Sequence, residues 1–319
     1  MKRIQIPGVQ LASTQLVMGT GGDAYHPDHM DHVTRLSDAY FELGGNTFDS
    51  AHQYEGSEEA LGRWLEKRNI RDRVVILTKG AHPDDGNPGP RVSAKYIKED
   101  LMDSLDRLRI KYVDMYALHR DDVTVPVGEV IETLNQALRD GHVRTIGASN
   151  WTLSRVMEAN QYAADNNLKG FAFTSPNFSL AKPLEPHWPG CVSADESFCR
   201  WHENNQIPLL AWSSQAGGFF SGRFSPDNRD NEDMVRVYYS DENWERLKRA
   251  RQLAGKKDVT PIQIALAYVL HQRFPTFALI GPEKVEEMKS SFAGAEIALS
   301  PTELAWLDLK TNDSIFDKE

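Results

Sequence analysis

GNTFDSAHQYEGSEEALGRWL, residues 45–65, holds in order a short β-type run, an acid, a phenol and the start of an amphipathic helix. Residues 46–49 read as a strand and 57–68 as a helix, so Asp49 and Tyr54 fall in the junction between them. In α/β folds the C-terminal ends of strands hold side chains at fixed positions, and reacting groups collect there. The same unit recurs on both sides. Upstream, residues 2–18 alternate apolar and polar around Pro7-Gly8, which predicts a small β-hairpin leading into a strand at 15–19. A Gly-rich loop (Gly19, Gly21, Gly22) and a helix over about 28–43 follow, with Gly44-Gly45 as its stop.

Downstream the pattern gives strand 74–79 then helix 93–108, strand 112–119 then helix 127–139, and strand 143–148 then helix 152–166. Strand 171–175 leads to a helix near 193–205, strand 207–213 to helix 261–272, and strand 276–280 to helix 283–292. A last helix starts behind Ser300-Pro301. Runs such as VVIL and PLLAW are apolar throughout, as strands buried on both faces require. Eight strands alternating with helices predict an α/β fold, a (β/α)8 TIM barrel with an N-terminal hairpin and extra loop and C-terminal helices, spanning 1–319 as one domain. A doubly wound sheet would need a Gly-x-Gly-x-x-Gly turn after an early strand, and the sequence has none. The long stretch 215–243 exceeds an ordinary connection. With Gly217-Gly218 as a hinge and Phe219, Phe220 and Phe224 as apolar surface, it reads as a lid or substrate loop, mobile without cofactor and ordered with it.

A chain with 40% hydrophobic and 26% charged residues falls in the class of globular enzymes. The net charge of -10, with no concentrated basic face, argues against a nucleic-acid partner. No apolar run is long enough to span a bilayer, and MKRIQIPGVQL lacks the apolar core of a signal peptide, so no membrane partner and a cytoplasmic location are expected. Cys191 and Cys199 lie near His187 and His202, but their spacing fits no standard zinc pattern, and no metal site is expected. Nothing in the pattern fixes an oligomeric state.

Two further strand ends supply chemistry: VVILTKG ends in Lys79 and YVDMYALHR in His119. A carbonyl that accepts hydride needs a proton on its oxygen, and a tyrosine can deliver it once its pKa is drawn down from about 10. An ammonium beside the phenol does that, and a carboxylate behind the lysine holds it charged. Each residue alone has an ordinary reading as a cap, a surface group or a mouth-lining side chain. Together, at three strand ends, they form a relay of Asp49, Lys79 and Tyr54, with His119 orienting the substrate oxygen.

NTFDSAHQY, ILTKG, YALHRDD and IGASNW resemble the aldo-keto reductase family over nearly the whole chain. The resemblance implies that Asp49, Tyr54, Lys79 and His119 are its tetrad and that a nicotinamide dinucleotide is the cofactor. It places Ser149 and Asn150 on the carboxamide, with Ser175 where a glutamine is usual. Trp212 in LLAWSSQAGGFFSGRF stands where a tyrosine usually stacks on the nicotinamide, and Ser213, Gln215 and Gly217 approach the phosphates. Gly19, Thr20 and Asp49 complete the near end of the cofactor site. Gly281, Glu283, Lys284 and Glu287, in GPEKVEEMKSSF, form the adenosine-phosphate end at a helix N-terminus. Glu283 stands where an arginine commonly meets a ribose phosphate. NADP(H) is therefore expected to lead only slightly, with NAD(H) usable.

The substrate is expected to be a small carbonyl or alcohol, bounded by His26, Tyr54, His119, Arg120, Trp151 and the 215–243 stretch. That mixture of polar groups and aromatic plates suits a sugar- or polyol-derived carbonyl. Two other classes remain open on the residues: a cofactor-binding regulatory subunit of the channel-beta type, and a metal-dependent barrel hydrolase using His52, His119 and Asp121. The second would normally carry His-x-His at the end of the first strand, and QLVMGTGG does not.

Overall fold

Two short antiparallel strands, β1 (Arg3–Ile4) and β2 (Ser13–Thr14), open the computed structural model, which describes residues 1–83 and 89–311. The last eight residues of the expected domain, 312–319, lie outside the described ones. Eight parallel strands then close into a barrel: β3 (Leu16–Gly19), β4 (Thr47–Asp49), β5 (Val75–Gly80), β6 (Val113–Leu118), β7 (Val143–Ser149), β8 (Phe173–Ser175), β9 (Leu209–Ala211) and β10 (Thr276–Ile280). Each pairs with its sequence neighbours, and β10 returns to β3 through Ala278 opposite Leu16. The expected barrel and hairpin are both present.

The barrel interior is a separate apolar cluster containing Val17, Val75, Leu77, Met115, Phe173, Leu210 and Phe277, capped from below by Ile6 and Val9 of the hairpin connection. Phe173 fills the centre because Gly147 leaves it room: a Cβ there would lie 2.5 Å from its ring. Outside run α1 (Met30–Glu42), α2 (Ser57–Arg68), α3 (Ala94–Leu108), α4 (Val127–Arg139), α5 (Leu153–Asp165) and α6 (Glu196–Asn205). They are followed by α7 (Glu232–Tyr238), α8 (Asp241–Lys257), α9 (Pro261–Leu270), α10 (Val285–Ala295) and α11 (Pro301–Leu307). Side chains of Ser93, Thr152, Asp195 and Ser240 cap α3, α5, α6 and α8, and Ser300 with Glu303 forms a capping box on α11.

Three expectations change. The helix expected at 28–43 opens as a 3-10 turn, Pro27–His29, before α1. The seventh barrel strand stops at Ala211, because Ser213 takes a left-handed backbone (φ 48) that leaves the ladder. The 215–243 stretch is more than a loop. It contains a 3-10 turn (Ala216–Ser221), α7 and the start of α8. Phe219 and Phe220 are fully buried, and Phe219 packs on Trp244 and Tyr238 at ring separations of 4.7 and 6.1 Å. Phe219 therefore anchors the segment, while Phe220 also lines the cleft.

His202 of α6 shows how tightly the outer layer is built. It is fully buried, stacked between Phe198 and Phe274, with ring nitrogens against Thr174 Oγ1 (2.9 Å) and the Ile207 carbonyl (2.7 Å). The carbonyl can only accept, so Nδ1 donates and Nε2 accepts from the threonine hydroxyl. Burial holds the His202 pKa down at about 4, from 6.5. The folded state thus resists a proton that the unfolded chain takes up, and stability falls as pH drops through that window. His202 should account for a loss of about 3 kcal/mol between pH 7 and pH 4. Urea unfolding of wild type and His202→Gln at both pH values checks this: the variant should show a shallower acid loss, and an equal loss would remove His202 from the account.

Candidate active site

The four residues of the expected relay meet at the C-terminal mouth. Asp49 ends β4 and Lys79 lies on β5, next to it in the barrel. The pairing of Asp49 with Leu77 places Lys79 two residues further up on the same side. Both side chains are about 2% exposed, so the charges must satisfy each other. Lys79 Nζ sits 2.6 Å from Asp49 Oδ1, donates to Oδ2 at 2.8 Å and donates to the Ser50 carbonyl at 2.8 Å. Two hydrogen bonds and the close Oδ1 charge fix the ammonium. It also stands 5.3 Å from the Tyr54 ring centre. Burial alone would lower the Lys79 pKa, but Asp49 and then Tyr54 outweigh it, and the pKa is raised.

Tyr54 is held in the turn between β4 and α2, its N–H donating to the Ala51 carbonyl at 3.0 Å. One edge of the ring opens to the cleft, so the residue is only partly buried. Crowding around the phenol still raises its pKa, and the Lys79 charge is the largest opposing influence. The expectation of a phenol drawn below its ordinary value does not hold in the protein alone; lysine offsets part of the cost of burial. His119, just past β6, meets the Tyr54 ring nearly edge-on at 5.6 Å. Burial first, then the charges of Lys79, Arg120 and His82, push its pKa well below 6.5. The ring is neutral near pH 7, and its Nδ1 has no hydrogen-bond partner among the described residues.

These groups line one end of an elongated cleft of about 1570 Å³. From the tetrad it runs past Gly19, Ser149, Asn150 and Trp212, along Ser213, Gln215 and Gly217, to Gly281, Glu283, Lys284 and Glu287. Gly217 and Gly218 adopt φ of 60 and 83, and a Cβ at Gly218 would strike Arg223 Nη2 at 2.4 Å. At Gly281 a Cβ would meet nothing within 4 Å, so the floor there is open backbone. A groove with bare backbone, hydroxyls and Arg223 partway along, and an aromatic face at Trp212, fits a dinucleotide lying from Trp212 to α10.

Several expected contacts are committed elsewhere. Thr20 turns its hydroxyl to the Asp49 carbonyl (3.1 Å) and Ser57 (2.6 Å), locking β3 and β4 to the start of α2. Ser175 is fully buried and donates to the Leu210 carbonyl at 2.9 Å. Trp151 packs on Phe171 and donates to the Arg120 carbonyl at 3.1 Å. His26 lies over Gly56, where a Cβ would fall 2.3 Å from its ring. None of the four lines the cleft. Ser149 and Asn150 do, but Ser149 Oγ donates to the Ser175 carbonyl (2.8 Å), and Asn150 Oδ1 accepts from Val192 N–H and the Trp212 indole, both at 3.2 Å. Of the metal-hydrolase set, His52 faces Asp100 and Asp103, while Asp121 is held by Arg155 at 3.1 Å. His52 therefore does not converge with His119.

The sequence reading missed Gly21, His82, Trp188 and Arg223. Gly21 gives the Tyr54 ring space, since a Cβ would come within 3.0 Å of it. His82 lies 4.8 Å from the His119 ring and follows the strand lysine by three residues, so a scan of strand ends could have found it. Trp188, 6.0 Å from Trp212, belongs to a long irregular connection that carries no periodic signal.

A profile of the Aldo/keto reductase family matches residues 15–311. The chain is 26% identical to the aryl-alcohol dehydrogenase [NADP(+)] of Phanerodontia chrysosporium over 94% of its own length and 83% of that protein's. It is 28% identical to the norsolorinic acid reductase of Aspergillus flavus, covering 86% of this chain and 70% of the relative. Norsolorinic acid reductase B of Aspergillus parasiticus is also 28% identical, over 84% of this chain and 72% of that one.

Proposed function

Because this chain belongs to the aldo/keto reductase family and is a nicotinamide-dependent reductase, we propose that it reduces aldehydes or ketones with Tyr54 as the proton donor and NADP(H) as the slightly favoured cofactor. The bound dinucleotide would supply the hydride; the rest is the work of this chain's side chains. The observation that carries the reading is the buried Asp49–Lys79 pair behind Tyr54 at the closed end of the cleft.

A substrate carbonyl set between Tyr54 and His119 would receive one hydrogen bond from the phenol and one from the neutral imidazole. As negative charge grows on its oxygen, the phenol proton passes to it, and Lys79 stabilises the phenolate left behind. Asp49 keeps the lysine charged and aimed. In the opposite direction the phenolate takes the proton from an alcohol. Trp188, whose ring lies 6.0 Å from that of Trp212, supplies an apolar face near the mouth. Together with relatives named for aryl alcohols and norsolorinic acid, it favours an aromatic carbonyl. The polyol expectation loses support because His26 and Trp151, two of its contributors, do not line the cleft.

Tyr54→Phe should remove about 10²–10⁴-fold or more of the turnover while cofactor binding, followed by tryptophan fluorescence, stays close to wild type. Reduction of a benzaldehyde, read by cofactor absorbance, tests it; a variant with half the wild-type rate would exclude Tyr54 from the role.

At the far end, Glu287 Oε2 accepts from the Glu283 N–H at 2.9 Å, so a carboxylate already occupies the helix N-terminus that a ribose phosphate would seek. A carboxylate about 4 Å from a phosphate costs on the order of 1–4 kcal/mol. Lys284 and Arg223 on the same cleft partly offset this. The kcat/KM preference for NADPH over NADH should therefore stay below about a thousandfold, roughly 4 kcal/mol, and Glu283→Arg should raise it. A larger wild-type preference, unmoved by Glu283→Arg, would show that the acids do not face the phosphate.

A further inference from the structure

Arg120 follows His119 and is a cation of the substrate end of the cleft whose charge the protein does not answer. Among the described residues no carboxylate forms an ion pair with it. Other partly buried arginines are matched: Arg71 with Asp114 at 2.9 Å, Arg155 with Asp121 at 3.1 Å, Arg246 with Glu242 at 3.5 Å. Asp121, the acid nearest in sequence, is held by Arg155 through both oxygens, at 3.1 and 3.2 Å. An unpaired guanidinium in a protein of net charge -10 is conspicuous, because acids are abundant elsewhere.

The side chain is also held in place. Nη1 donates to the His119 carbonyl at 2.9 Å, and Trp151 donates to the Arg120 carbonyl at 3.1 Å. Gly190, at φ +75, lies against the stem, where a Cβ would be 3.4 Å from Cδ. One of five N–H donors is thus used internally, and the rest of the planar fork has no protein acceptor among the described residues. Gly190 on one side and the His119 carbonyl on the other put it between the tetrad and the 188–191 segment. That is the side where Trp188 stands. A guanidinium fork matches a carboxylate with two parallel hydrogen bonds, and the adjoining indole of Trp188 matches an aromatic ring.

We propose that Arg120 is the anchor for a carboxylate on the substrate, so that the preferred substrates are aromatic aldehydes or ketones that also bear a carboxylate. The proposal rests on Tyr54 and His119 receiving the carbonyl, as above, and adds what holds the other end of the molecule. It also gives the enzyme a means of discrimination: a neutral aromatic aldehyde would leave the guanidinium buried under the substrate without a partner, which is costly.

The test compares kcat/KM for 3- and 4-carboxybenzaldehyde with the corresponding methyl esters, in wild type and Arg120→Gln. Wild type should prefer at least one acid over its ester by about tenfold or more, and Arg120→Gln should cut that ratio by about 10–100-fold, the range for a hydrogen bond to a charged group. A wild-type ratio at or below one for both isomers would overturn the proposal, as would a ratio that Arg120→Gln leaves unchanged. A fluorescence titration of the wild-type protein with benzoate and benzamide needs no turnover. Benzoate should bind about tenfold more tightly or better, and equal binding would overturn the proposal even if no aldehyde were reduced. Failure of every aldehyde, ester and acid alike, with benzoate still favoured, would count against the reductase reading of Tyr54 and leave the anion site standing.

Discussion

Everything at the mouth of this barrel depends on one buried ion pair, Lys79 with Asp49. Taking two charges out of water costs several kcal/mol per ion, and their mutual attraction rarely returns a surplus over apolar packing. Such a pair adds little to stability. What it does here is fix a full positive charge, with three oxygens around it, 5.3 Å from the centre of the Tyr54 ring. Closure of the barrel makes this possible, because β4 and β5 are hydrogen-bonded neighbours and deliver both groups from rigid strand ends. The loop that carries Tyr54 is tied down in turn: Ser57, at the start of α2, bonds to the Thr20 carbonyl (2.9 Å) and to Ser50 (3.0 Å).

Charge along the cleft follows a division of labour. Near the tetrad, Asp49 answers Lys79, while Arg120 has no ion-pair partner among the described residues. Midway, Arg223 stands beside the bare backbone of Gly217 and Gly218, a place suited to a pyrophosphate. At the far end Glu283 and Glu287 face Lys284, and the helix N-terminus is satisfied by the protein's own carboxylate. Bare backbone and cations thus line the cleft near the tetrad and midway, and two carboxylates join a lysine at its far end.

The barrel was legible in the sequence because its strands are buried on both faces, so runs such as VILTKG stand out, and because helix stops such as Gly44 and Gly141 punctuate them. Helices α2 and α4 matched their expected limits, 57–68 and 127–139. The tetrad was legible for a related reason: residues at strand ends inherit their positions from the barrel. What the sequence hid was the state of polar groups next to those ends. Thr20, Ser175 and Trp151 sit at strand ends or just beyond, but their donors turn to carbonyls of neighbouring segments, a choice made by tertiary contacts. The 215–243 stretch looked like a loop because glycines and charges mark it as one, while its anchoring comes from Phe219 meeting Phe220, Tyr238 and Trp244. Trp188, on an irregular connection, had no pattern to betray it.

The claim that Lys79 governs the acidity of Tyr54 can be measured on the phenol itself. Tyrosine labelled with carbon-13 at Cζ reports ionisation by NMR, and the Tyr54 signal is identified by its loss in Tyr54→Phe. Burial raises the phenol and Lys79 opposes it, so removing the ammonium in Lys79→Met should move the Tyr54 titration to higher pH than in wild type. A titration that stays in place, or moves down, would mean that the buried pair does not set the acid, and the account would fail at its centre.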